Sequence, residues 1–404
     1  MSGNWSKYRL DEIAKLSMGQ SPQSKFYNTD GDGLPFFQGK TEFGEYYPSV
    51  RQFTSKTTKK AVEGDVLFTV RAPVGELNIA NQDCCIGRGL AAIQAKNENE
   101  NRFLYYILKV NTELFLSRSS GAVYDAISGG DLKSSEIFIP NNSQERIKIA
   151  KILSNYDDLI ENNLKRIKLL EESARLTYEE WFLRFRIDGK NLDIDPTTDL
   201  PFGWSNKSFN SICKKISSGG TPSRANKKYW DFDDYDWVTT KELRDGYIYD
   251  TKEKISLLGL EKSSAKLFPK GTIVMAIYAS PTLGRLGVIT KESCFNQAAV
   301  GFIIDENFIS NEFLYCKLIS ERVGLNALAM GAAQQNINLA KVKNYEVVIP
   351  DLELLQEFTN VTRPMFNEIE NLGLQNQLLK EARDILLPRL MTGMIDTDDM
   401  DIAV

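Results

Sequence analysis

Two sets of polar side chains hold most of the chemistry this chain could perform. In the first half, Gln38, Lys40, Arg71, Arg88, Arg118, Ser119, Ser120 and Tyr124 fall in turns or beside Gly and Pro. In the second half, Thr240, Lys241, Arg244, Tyr278, Arg285, Gln297, Gln334, Gln335 and Asn336 hold comparable places. Arg, Gln and Asn can form paired hydrogen bonds to guanine and adenine edges, whereas Lys and Ser more often meet phosphate. Taken singly, each such residue is most often an ordinary solvated side chain. The run Gly331-Ala332-Ala333-Gln334-Gln335-Asn336 is more specific, because it sets three amides in a small-residue turn between structured segments. The matching turn in the first half, Arg118 to Tyr124, carries different polar groups.

Other chemistry is restricted by what is missing. The chain has 404 residues and no histidine, which removes Ser-His and Cys-His nucleophile pairs, histidine bases and His-ligated zinc or iron. Gly33 through Gly39-Lys40-Thr41 imitates a phosphate-binding loop, but its spacing is one residue too long and no helix pattern follows. No NPPY-like or DPPY-like segment and no GxGxxG after a strand is present, which argues against a methyltransferase or dinucleotide enzyme within this chain. Carboxylate-only magnesium sites survive this filter, as in a nuclease, but rank low. The five cysteines include no CxxC pair, and the vicinal Cys84-Cys85 reads as core thiols. No metal site and no catalytic residue is expected. The absence of a long apolar run or an N-terminal apolar region points to a cytoplasmic protein with no membrane partner. A net charge of −5 argues against simple coating of nucleic acid but leaves room for local basic surfaces.

These side chains must be positioned by a frame, and the frame is written twice. Trp5-Ser6 is answered by Trp204-Ser205, and Ser21-Pro22 by Thr221-Pro222. Phe36-Phe37 before Lys40 matches Trp237-Val238 before Lys241, and the strand-like run from Gly64 matches that from Gly271. Arg71 aligns with Tyr278, Cys85 with Cys294, Asn101 with Asn311, and Ile139-Pro140 with Ile349-Pro350. Sequence between these blocks differs freely. Two copies of one frame with different loops imply two similar acts of recognition on different targets.

Each copy leads into a long helical pattern. In the first, Leu153, Ile160, Ile167, Ala174 and Trp181 recur at heptad spacing, with Tyr156, Leu164, Leu170 and Tyr178 as a second row. In the second, Phe358, Met365, Leu372, Leu379 and Leu386 fall seven apart, and Pro364 predicts a kink or a separate short segment at its start. Roughly forty residues of helix span roughly 60 Å. An antiparallel pair of such helices would fix a spacing between two recognised sites, whereas the blander reading leaves them as helices inside one core.

The expected fold is α+β: two repeated mixed α/β domains separated by two long helices that pair as an antiparallel coiled coil. Residues 1–142 form the first recognition domain, 143–187 the central helix, 188–203 a linker, 204–351 the second domain, 352–393 the C-terminal helix and 394–404 a tail.

Taken together, the arrangement resembles the specificity subunit of a type I restriction-modification enzyme. The resemblance spans the whole chain. It rests on the Trp-Ser openings, Ile-Pro before Gln-Glu, the Glu180-Trp181-Phe182-Leu183-Arg184-Phe185-Arg186 ending and the Leu386-Leu387-Pro388-Arg389-Leu390-Met391-Thr392-Gly393 ending. Ile187-Asp188-Gly189 stands where Pro-Gly is common in the family. The resemblance implies that each domain reads half of a bipartite double-stranded DNA target. It also implies that the paired helices dock two modification subunits bearing S-adenosylmethionine and adenine methylation. Two restriction subunits using ATP and Mg would complete the complex. This chain itself would hold no cofactor. The alternative is a duplicated scaffold or adaptor that binds proteins through its helices and never reads DNA.

Overall fold

The computed structural model describes residues 5–118, 126–278, 281–329 and 336–397. It divides into two compact units, Met1–Asn162 with Leu378–Val404, and Asn163–Gln377. Each unit therefore contains one globular domain and a part of each long helix.

The two domains repeat one plan. In the first, strands Ala14–Met18, Leu90–Ala95, Val66–Thr69 and Leu77–Ile79 lie side by side in that order, all antiparallel. In the second, Cys213–Ser218, Ala299–Ile304, Ile273–Ala276 and Leu286–Ile289 take the same order, with Gly246–Ile248 added in parallel at the edge. A second sheet is also shared, built on a parallel pair that sets Phe36 beside Cys85 and Trp237 beside Cys294. Strands such as Val66–Thr69 and Ile273–Ala276 are apolar at nearly every position and buried along their whole length, as strands covered on both faces must be. The vicinal Cys84-Cys85 lies within one such buried strand. Each domain closes by pairing its first and last strands, Trp5–Arg9 with Glu136–Pro140 and Ser205–Ser208 with Glu346–Ile349. The long helices start directly after these closures.

The central helix runs over Ser143–Tyr178 and ends in a π-helical turn, Glu179–Leu183, where the Arg184 N–H donates to the Glu179 carbonyl at 2.9 Å. That turn brings Phe182 against Trp204, Phe313 and Phe358, with ring centroids 5.8, 5.1 and 5.0 Å away. The C-terminal helix is continuous over Leu352–Met391, so Pro364 does not set off a separate short segment. Pro364 lies on the exposed face, as does Asn360, whose carbonyl it leaves without a helical donor, so water can supply that bond. The helix stops at Gly393, whose positive φ of 68° accompanies a Met394 N–H donation to the Arg389 carbonyl at 2.9 Å. A Cβ there would come within 3.2 Å of the Trp5 ring.

Within each unit the helix segments pair antiparallel. In the second unit Asn163 meets Asn376, while Tyr178 and Trp181 further along the central helix meet the earlier residue Phe358. Leu153, Ile160, Ala174, Phe358 and Leu372 are buried as expected; Ile167, Leu170, Trp181, Met365, Leu379 and Leu386 are partly buried. In the second row of the central helix Tyr178 is buried as expected, but the earlier positions differ. Leu164 is 37% exposed and Tyr156 only partly buried, and the neighbours that turn inward are Asn163 and Asp157. An apolar pattern overlooks them because each is a polar residue satisfied by a distant partner. Asn163 donates to Asn376 at 3.0 Å, and Asp157 accepts from Tyr106 and Arg383, both at 2.5 Å. Residues 188–203 also carry more structure than a linker, since Arg186–Ile187 pairs with Lys190–Asn191 and Ile194–Asp195 with Leu200–Pro201.

Removing one partner from a buried ion pair strands a charge. Arg383→Ala should therefore cost the first unit about 3–5 kcal/mol, read as a lower denaturant midpoint. Combining Asp157→Leu, Tyr106→Phe and Arg383→Met should regain most of it, and an unchanged midpoint for Arg383→Ala would disprove the burial argument. A second ion pair joins the first domain to the start of the central helix. Arg146 grips Glu100 with two bonds of 2.8 and 2.9 Å, and Ser143 donates at 2.5 Å. Burial opposes ionisation of Glu100, but these bonds, the Arg146 charge and Asn97 outweigh it and hold the carboxyl below its ordinary 4.5. Its contribution is thus complete above pH 4.5 and is lost as pH falls through the depressed folded value. Glu100→Gln should abolish that part of the acid dependence in unfolding measured against pH.

Candidate nucleic-acid interface

Backbone bonds draw several loops of the first domain to one end of its sheets. Gly19 N–H donates to the Leu90 carbonyl at 2.8 Å and Gln20 N–H to that of Ile86 at 3.0 Å, which sets residues 19–23 against 86–89. Gly87 N–H donates to the Phe37 carbonyl at 2.8 Å, fixing the loop that starts at Gln38. Val70 N–H reaches the Gly89 carbonyl at 2.9 Å, and Ile127 N–H reaches that of Val70 at 3.0 Å. Gly89 is needed for this convergence, because an added Cβ would lie 2.2 Å from the Gln38 carbonyl oxygen.

The second domain repeats these ties. Gly220 N–H donates to the Phe295 carbonyl at 2.9 Å, Asn296 N–H to Val238 at 3.1 Å, Ile277 N–H to Ala298 at 2.9 Å and Ile337 N–H to Ile277 at 2.8 Å. The isolated bridge between Arg71 and Ala126 is likewise matched by one between Tyr278 and Asn336.

Most of the expected residues stand on these loops. Gln38, Lys40, Arg71 and Arg88 are exposed on the first cluster. On the second, Lys241, Arg244, Tyr278 and Gln297 are exposed, while Thr240, Arg285 and Asn336 are partly so. Arg118 behaves differently: it follows the helix Thr112–Ser117 and reaches the Ser134 hydroxyl at 3.5 Å. Ser119, Ser120, Tyr124, Gln334 and Gln335 lie outside the described residues.

Charge is distributed unevenly over the clusters. Lys40 is paired with Glu76, and Gln297 accepts from the Thr221 hydroxyl. Arg71, Arg88, Lys241, Arg244 and Arg285 make no ion pair with any described residue. Five cations left unneutralised on loops otherwise tied by backbone bonds are available to an external anion. The nearby carboxylates are consumed locally. Glu42 accepts from the Gln38 and Gly39 N–H groups, both at 3.1 Å, and Glu242 accepts from the Thr239 N–H at 2.8 Å. Sequence reasoning missed these two positioning residues, although a Glu four or five residues beyond a strand end is the available signal.

Nothing in the described residues competes as a metal or redox site. No group of three or more Cys, Asp and Glu is placed there to hold a metal ion. All five cysteines are buried and unpaired, and burial pushes the thiols of Cys84, Cys213, Cys294 and Cys316 up to about 12. No described helix is long and apolar enough to cross a membrane.

Known proteins share this plan. Residues 2–172 and 201–380 each match the family described as type I restriction modification DNA specificity domain. The chain is 27% identical over 416 residues to the type I restriction enzyme MjaIX specificity subunit of Methanocaldococcus jannaschii, covering 98% of this chain and 95% of that protein. It is 24% identical over 469 residues to the type I restriction enzyme HindI specificity subunit of Haemophilus influenzae, covering 97% and 100%. The crystal structure of the type I restriction-modification system S subunit from M. genitalium has the same fold, with a TM-score of 0.62 at 18% identity over 96% of both chains. Two domain matches that span most of the sequence, one for each loop cluster, place this chain in the type I restriction-modification DNA specificity family.

Proposed function

We propose that each domain reads one half of a bipartite, asymmetric DNA target through its loop cluster. One observation carries this reading: the backbone ties of the two clusters coincide while their outward side chains do not. Lys40 is answered by Lys241, but Arg71 is answered by Tyr278 and Arg88 by Gln297. A common lysine suits phosphate, which every sequence presents. Unlike groups at the other positions suit different base edges. The unpaired arginines would lend affinity and a steep salt dependence.

On the same reading the paired helices set the length of the unread spacer and dock two modification subunits. Those subunits would bring S-adenosylmethionine and methylate adenine, and two restriction subunits would add ATP- and Mg-dependent cleavage. This chain would contribute recognition and no catalytic residue.

The direct test is a base-resolution map of methylated adenines in the host with this chain present and deleted. A two-part motif with an unread gap should vanish on deletion, and an unchanged map in a host with active methylation would refute the proposal. Gln38→Ala with Arg88→Ala should weaken discrimination by about 1–3 kcal/mol per lost base contact, in one half of the motif only. Tyr278→Ala with Gln297→Ala should affect the other half, and equal losses in both halves would contradict separate reading. Lys241→Ala should reduce affinity for all sequences alike and lower the salt slope by about one. Seven residues inserted after Leu164, with seven opposite them in the C-terminal helix, should lengthen the gap and leave both half-sequences unchanged.

A further inference from the structure

The second unit contains a cavity of about 460 Å³ between the central helix and its own domain. Its inner wall is apolar and includes Ala174, Tyr178, Tyr315, Cys316, Phe366 and Ile369. Glu171, Arg175, Glu179, Leu183 and Asp245 surround the mouth.

The repeat explains why this space is empty. Aligning Tyr105 with Tyr315 places Tyr106 opposite Cys316, and the matched Gln-Glu pairs place Asp157 opposite Ile369. The helix endings place Ala382-Arg383 opposite Ala174-Arg175. In the first unit the Tyr106 ring is fully buried, and its hydroxyl and the Arg383 guanidinium both meet Asp157 at 2.5 Å. In the second unit Cys316 is too short to fill the ring's place, and Ile369 offers the guanidinium no carboxylate. Arg175 accordingly turns outward to Glu172, at 2.6 Å, and to Glu179. One aromatic ring and one cation that complete the first unit are thus missing from the second.

The rim is prepared for the cation. Asp245 is neutralised by Arg322 at 2.5 Å and Glu179 by Arg175, but Glu171 has no ion pair among the described residues. Protein crowded around the Glu171 carboxyl, together with the Asp245 charge, raises its pKa. Leu183, 49% exposed, extends the apolar wall outward along the central helix.

We propose that this cavity is a socket for a segment of the modification subunit that presents an aromatic side chain beside a lysine or arginine, the ring entering over Cys316 and the cation meeting Glu171. This inference rests on the helices docking that subunit, and it deepens that reading by making the two docking positions unequal. The first unit fills the space opposite Cys316 with its own Tyr106 and Arg383, whereas the second leaves it open.

The test uses the full-length chain and the purified modification subunit encoded with it. Cys316→Tyr fills the socket from within, as Tyr106 does in the first unit, and Glu171→Lys neutralises the rim from within. Each variant should keep a thermal midpoint no lower than the parent and bind DNA with unchanged half-site preference. Each should weaken one of the two modification-subunit binding steps at least tenfold, so that native mass spectrometry finds one bound subunit where the parent holds two. If Cys316→Tyr fails to fold, Glu171→Lys decides alone. Folded variants that still take two modification subunits with parental affinity would overturn the socket while leaving docking intact. A parent chain that binds no modification subunit would overturn docking and socket together.

Discussion

Asp157 is a carboxylate shut away from water, and the two groups that satisfy it come from distant parts of the chain. Tyr106 lies 51 residues before it and Arg383 226 residues after it. A buried charge without its partner costs several kcal/mol, a large share of a domain's net stability. The first domain therefore requires the last helix to be docked, and that helix docks in one register only. Apolar contacts among Leu153, Leu387, Leu390 and Met391 add the area, but such contacts tolerate sliding. The ion pair does not. In the second unit the buried Asn163–Asn376 amide pair plays the same part more weakly, since a shifted helix would break the hydrogen bond between them.

Each domain is closed at the helix ends by aromatic residues. Trp204 packs on Phe182 and Phe185 after the π-helical turn, and Trp5 covers the glycine that ends the last helix. The Trp of each domain opening thus seals the helix that follows the other domain. The loop clusters sit on this closed frame, and main-chain hydrogen bonds hold them. Their side chains can change without disturbing the ties, which is what a reader of variable sequence needs. Where side chains do hold the frame, as with Glu42 and Glu242, they bond to backbone rather than point outward.

The unequal halves of the repeat arise from few substitutions. Cysteine for tyrosine at 316 and isoleucine for aspartate at 369 remove the buried polar group and free Arg175 to join surface carboxylates. An apolar cavity remains because the surrounding helices are held by the aromatic cluster and cannot collapse into it.

Much of this protein was legible in its sequence. The repeat, the strand cores around Phe36 and Trp237, the long helices and the polar loop residues all follow from local periodicity and from two copies aligned with each other. Those signals are short-range or self-referential, so no partner has to be known. Other features depended on which distant residues meet. Pro364 passes through an unbroken helix because it falls on the exposed face, which heptad counting does not reveal. Leu164 yields its inward place to Asn163 because Asn376 waits across the pair. Asp157 can be buried only because Arg383 arrives from the far end of the chain. Composition and spacing determined the elements and their duplication; the tertiary structure decided which polar groups go inside, since a polar residue's burial is set by its partner and not by its own hydrophobicity.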